Sequence, residues 1–120
     1  MSVATFSAEA QIARQLEELG CSSNAFAEIT GVVGRTRMAQ GLAGQKDFEP
    51  ADAQKMLAIL SEMAELRDLS QSPPDWKQTD AIRAALEERR SIKRLIQEAR
   101  EHLEAWNNFM REKYGENYGT

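Results

Sequence analysis

Three observations predict an all-α protein. Apolar residues recur at spacings of three and four through nearly all of the 120-residue chain. No segment alternates apolar and polar residues between turn signals, as a half-buried strand would. Ser, Gly and Pro stand where helices of that periodicity would begin and end. The first helix is expected to start after Ser7, to bury Ile12, Leu16 and Leu19, and to stop at Gly20. A short second helix begins near Ser23 or Asn24, carries Phe26, Ala27 and Ile29, and closes at Gly31. A third runs from about Arg35 to Leu42, with Gly34 as a weak cap and Ala43-Gly44 as its stop. A fourth starts at Pro50, whose fixed φ suits a helix's first position, and reaches about Leu69 on Met56, Leu57, Leu60 and Met63. The last is capped by Thr79 and spans Asp80 to Lys113, since neither Gly nor Pro interrupts it before Gly115.

Ser70-Gln71-Ser72-Pro73-Pro74-Asp75 is the Pro/Ser-rich break, because two adjacent prolines cannot continue a helix. The expected organisation is therefore a domain over 1–69, a linker over 70–79, a long helix over 80–114 and a fraying tail over 115–120.

Composition narrows the function. With 42% hydrophobic and 28% charged residues and only 7 Gly and 3 Pro, the chain has enough apolar surface to fold and too little to span a bilayer. No signal-peptide pattern opens it, so the cytoplasm, of a bacterium or a phage-infected host, is the expected compartment. One Cys and one His leave no disulfide and no Cys- or His-based metal cage, so no cofactor and no metal are expected. Catalytic signatures such as the phosphate-binding Gly-x-x-x-x-Gly-Lys loop and the Gly-x-Ser-x-Gly elbow are missing, and enzymatic activity is not expected. Cys21 reads as a structural thiol and His102 as an exposed helix residue. The net charge of −4 argues against coating nucleic acid by bulk attraction, so any such contact needs a locally basic face. Arg35, Arg37 and Lys46 supply one: no acid lies between Arg35 and Lys46.

Ser23 to Gly44 places two short helices either side of Gly31-Val32-Val33-Gly34, the arrangement of a helix-turn-helix. Ala27 is the small residue at the helix crossing, Val33 the apolar plug under the turn, and Met38 and Leu42 the inward pair of the second helix. At 100° per residue Thr36, Arg37 and Gln40 point away from that pair. The segment resembles the lambda-repressor-like (Cro/C1, XRE-type) DNA-binding domain through Ala27, Gly31, Val33, Met38 and Leu42, over roughly residues 7 to 69. Gly34 stands where that pattern has Ser or Thr, and Gly41 would loosen the helix by up to ~1 kcal/mol.

What the resemblance implies is an N-terminal four-helix lambda-repressor-like helix-turn-helix domain followed by a long C-terminal amphipathic helix. It also implies double-stranded DNA as partner. Arg37 and Gln40 are then the expected base readers, with Arg35 and Thr36 beside them in the major groove. Asn24, Gln45 and Lys46 are placed to hold the phosphate backbone.

In the last helix Ile82, Leu86, Ile92, Ile96, Ala99, Leu103, Trp106 and Met110 form an apolar seam interrupted by Arg89. Such a stripe suits a second copy of itself, so a homodimer or higher homo-oligomer is expected, with Ile92, Ile96, Ala99, Leu103, Trp106 and Met110 at its interface. Folding back of this helix, with Trp76 and Trp106 against the Met-rich fourth helix, is the alternative. The cluster Arg89-Arg90 and Lys93-Arg94, balanced by neighbouring glutamates, reads as a solvated face.

A dimeric, sequence-specific DNA-binding regulator, such as a phage or prophage repressor, is the first expectation. Small terminase subunits of phages join the same elements into DNA-packaging rings, and some phage inhibitors of host defence put the fold to protein binding; both remain alternatives.

Overall fold

The computed structural model describes residues 7–115, and over these the chain is five α-helices with no strand. The tail expected to fray lies, from residue 116 on, outside the described residues.

Helix α1, Ala8–Leu19, starts where Ser7 Oγ accepts the Ala10 N–H at 3.1 Å. Helix α2, Ser23–Thr30, starts in the same way, with Ser22 Oγ accepting from Ala25 N at 3.1 Å. In each case a side-chain oxygen satisfies one of the helix's orphan donors. Gly31, at φ 63°, closes α2 in the left-handed region that costs other residues 1–2 kcal/mol or so, and so permits the sharp reversal into α3, Arg35–Leu42. Helix α4 spans Pro50–Leu69 and helix α5 Thr79–Tyr114.

The chain forms two compact units, residues 1–86 and 87–120. In the first, α1 packs on α3 and α4, and α2 on α3. Ile12, Phe26, Met38, Met56, Leu60 and Met63 are its fully buried large side chains, one or more from each of α1 to α4. The first unit runs past the Pro73-Pro74 break. Trp76 is buried and its indole Nε1–H donates to the Leu19 carbonyl at 2.8 Å. That carbonyl belongs to the last residue of α1, where no intrahelical donor is available, so the indole both caps a helix and fills the core. Ile82 and Leu86, read in the sequence as the start of the C-terminal seam, are buried with the first unit's core. Thr79 lies inside α5 rather than ahead of it, and its hydroxyl donates to Glu28 Oε2 at 3.3 Å.

The second unit is the remainder of α5, residues 87–114. Its large apolar side chains are exposed, Leu95 and Leu103 by 64% and 60%, and Ile92 and Ile96 by 47% each.

Candidate functional site

The candidate site is α3 with the loop that follows it. Met38 is fully buried and anchors the helix on the core. The second buried position is Gly41, and Leu42, expected to share that role, is only half-buried. The space beside Gly41 belongs to Phe48: a Cβ built on Gly41 would overlap ring atoms Cε1 and Cζ and stand 2.8 Å from Cε2. A glycine that looks like a weak point in the helix is thus where an aromatic ring packs against the backbone.

Further contacts hold the loop from Ala43 to Glu49. Gly44 N–H bonds to Gly41 O at 3.0 Å and Gln45 N–H to Gln40 O at 2.9 Å, the paired closure of a Schellman motif. The Phe48 N–H donates to Glu9 Oε2 at 2.8 Å, a buried bond that ties the loop to α1 across 39 residues. The Arg37 guanidinium donates through Nη1 to the Lys46 carbonyl at 3.1 Å and through Nη2 to the Asp47 carbonyl, and lies over the Phe48 ring at 5.0 Å. One cation therefore satisfies two loop carbonyls and stacks on the ring beneath them.

Thr36 is exposed on the outer face of α3 and Gln40 half-buried beside it, with exposed Ala39 and Ala43 between and beyond them. Arg35, 61% exposed, pairs with Glu28, whose other oxygen accepts from Thr79. Arg37 is half-buried and engaged with the loop as described. Gln45 and Lys46 are exposed on that loop, and Asn24 is exposed in the first turn of α2. The structure thus brings Thr36, Gln40, Arg35 and Arg37 together on one short helix, with Lys46 next to the carbonyl that Arg37 holds.

The sequence reading missed Glu9 and Phe48. Phe48 carries one legible signal, an aromatic residue between two acids just ahead of Pro50; Glu9 carries none, because its partner is a distant backbone amide.

Charges around the site balance. From Asn24 to Glu49 the cations are Arg35, Arg37 and Lys46 and the acids Glu28, Asp47 and Glu49. Helix α3 itself carries no acid, and apart from Arg35 its exposed residues, Thr36 and Ala39, are small and uncharged. Cys21, away from this face, is buried, and desolvation pushes its thiol up to about 11, the behaviour of an inert structural cysteine. No cluster of three metal-ligating groups occurs among the described residues, and no helix among them is long and apolar enough to cross a membrane. No family model, curated protein or solved structure matches the chain.

Proposed function

We propose that the chain is a sequence-specific DNA-binding regulator whose α2 and α3 act as a helix-turn-helix, with the outer face of α3 set in the major groove. The observation that carries this reading is that face itself. Thr36, Ala39, Gln40 and Ala43 form a surface free of carboxylates, on a helix anchored by Met38 and closed at its end by a Schellman motif. A groove-reading helix needs rigid presentation, groups small enough for close approach and a few hydrogen-bonding side chains at base height. Gln40 supplies a carboxamide matched to adenine N6/N7, and Thr36 a hydroxyl and a methyl for thymine. Arg35, poised on Glu28, exchanges that carboxylate for a phosphate. Arg37 supports this arrangement from behind by holding the loop that carries Lys46, instead of reading a base as the sequence suggested.

Selection of duplexes from a random library, followed by anisotropy titration of the winners, tests the proposal. The expected result is an enriched site, bound roughly 5- to 150-fold more weakly by Gln40→Ala with loss of preference at one position, since a bidentate base contact contributes about 1–3 kcal/mol. Absence of enrichment at low salt, or a Gln40→Ala protein with unchanged preference, rejects the reading in favour of a protein target for this face.

A further inference from the structure

The seam expected to join copies of the chain also carries, in the second unit, a pattern that bears on how the copies would be oriented. Ile92, Ile96, Ala99, Leu103, Trp106 and Met110 follow one another at four, three, four, three and four residues without a break. That strict alternation of four and three returns the same two positions every seven residues, the heptad pattern of a helix packed along another helix. All but Ala99 and Met110 are large apolar side chains about half exposed or more. Leu95 and Phe109, 64% and 50% exposed, widen the stripe along one edge, and Phe109 lies 6.0 Å from Trp106, ring centroid to centroid.

The sizes of the residues along the seam say how it is covered. Ala99, the smallest, and Trp106, the largest, occupy equivalent heptad positions one repeat apart. In a parallel in-register pair, Ala99 would face its own copy and leave a gap, while Trp106 would face its own copy and overfill the next equivalent layer. Reversing one strand about Glu101 removes both faults. Ile92 then meets Met110, Ile96 meets Trp106 and Ala99 meets Leu103, three kinds of layer each repeated twice by symmetry. The same reversal sets Leu95 beside Phe109 along the stripe's wider edge. Arg89 and Lys113, which continue the alternation at its two ends, face like charge in either orientation and so do not decide between them. Arg100, near the symmetry axis, has Glu104 one turn on to balance it.

Coverage is sufficient for a specific complex. Six large side chains about half exposed, at roughly 200 Å² each, put about 600 Å² per helix and about 1,200 Å² in total under cover, the threshold of a standard interface.

We propose that residues 87–114 bind the same segment of a second copy as an antiparallel coiled coil, in the register that pairs Ile92 with Met110, Ile96 with Trp106 and Ala99 with Leu103. This surface is separate from α3 and does not rest on the DNA-binding reading.

The full chain tests it in two steps. Light scattering coupled to size exclusion is expected to give twice the 13.5 kDa chain mass, and Leu103→Asp one chain mass, with the emission of buried Trp76, read in a Trp106→Phe background, unchanged. A mass of one chain for the unaltered protein, or of three or more, overturns the proposal. For the register, Ile92→Cys and Met110→Cys proteins are mixed and mildly oxidised. Two copies of residue 92 lie about 27 Å apart in the antiparallel register, far beyond the ~7 Å reach of a disulfide. The mixture is expected to give a cross-linked pair that neither protein gives alone, and native Cys21, buried, does not compete. Cross-linking of the Ile92→Cys protein to itself would mean a parallel pair and overturns the register.

Discussion

Gly41→Ala should destabilise the protein, although on an ordinary helix surface the same change would stabilise it. Replacing an exposed mid-helix glycine by alanine gains up to ~1 kcal/mol. At position 41 the new methyl overlaps the edge of the Phe48 ring, which is 5% exposed, stacked under Arg37 and held at its backbone by Glu9. The ring must shift against a packed core, at roughly 1–3 kcal/mol, or leave it and forfeit up to about 3 kcal/mol of burial. Subtracting the helix gain leaves a net loss of up to about 2 kcal/mol, or a fall of up to roughly 16 °C in Tm for a unit of this size. The decisive control is Phe48→Ala. With the ring gone the methyl has space, and Gly41→Ala should then stabilise by up to ~1 kcal/mol. Urea denaturation followed by Trp76 emission, in a Trp106→Phe background that silences the exposed indole, reads all four members of the cycle. An equal effect of Gly41→Ala in both backgrounds would refute the proposed role of the ring.

Other expectations follow from single contacts. Glu9→Ala strands the buried Phe48 N–H and should cost about 1–3 kcal/mol in the urea midpoint, whereas Glu9→Gln, which keeps an acceptor, should cost less. Trp76→Phe keeps most of the ring but removes the donor to Leu19 O, for a loss of about 1 kcal/mol in urea denaturation followed by helical circular dichroism. Burial raises the Cys21 thiol to about 11, so the folded chain keeps a proton that the unfolded chain releases near its ordinary ~8.5. The stabilisation this represents is complete below ~8.5 and lost as pH rises towards 11; the wild-type protein should therefore lose roughly 2 kcal/mol more than Cys21→Ala between pH 7.5 and 10.5. Equal losses in the two proteins would show that Cys21 is as accessible folded as unfolded.

The helices were legible because their signals are local. Ser7 before α1, Pro50 at the start of α4 and Gly20 and Gly31 after α1 and α2 act within one turn of where they stand, and Ile12, Leu16 and Met38 repeat at the period of the structure they bury. What stayed hidden depends on partners far along the chain or on backbone groups that no side-chain pattern announces. Trp76 reaches Leu19 O across 57 residues, and Arg37 bonds carbonyls of Lys46 and Asp47, so neither sequence position reveals its role. The Pro73-Pro74 break marks where a helix stops, which is a different matter from where packing stops. Ile82 and Leu86 continue the first unit's core beyond it, while their spacing to Ile92 makes them look like part of the seam. Gly41 misled for a related reason: helix propensity scores a glycine by the residue alone, and the compensating ring is seven positions away.

The balance of charge around α3 bears on how the proposed regulator would discriminate. Affinity for DNA gained by counterion release scales with the number of phosphates neutralised, with a log–log salt slope near −0.9 for each. Of the three cations at this face, Arg35 already has a carboxylate partner and Arg37 two carbonyls, which leaves Lys46 and an exchanged Arg35 as the phosphate contacts. Two contacts per chain give a slope of about −2, shallow beside that of a strongly basic binder, and a correspondingly low non-specific affinity. In such a protein the uncharged groups, Gln40 and Thr36, carry a larger share of the binding free energy, and the ratio of specific to non-specific binding rises even though each chain binds weakly. Weak, selective half-site contacts become useful only when two are linked, because the second then binds at the effective concentration set by the first. The proposed antiparallel seam of residues 87–114 would supply that link, so under the two proposals the modest charge of the α3 face and the exposed apolar stripe of the second unit answer one physical requirement.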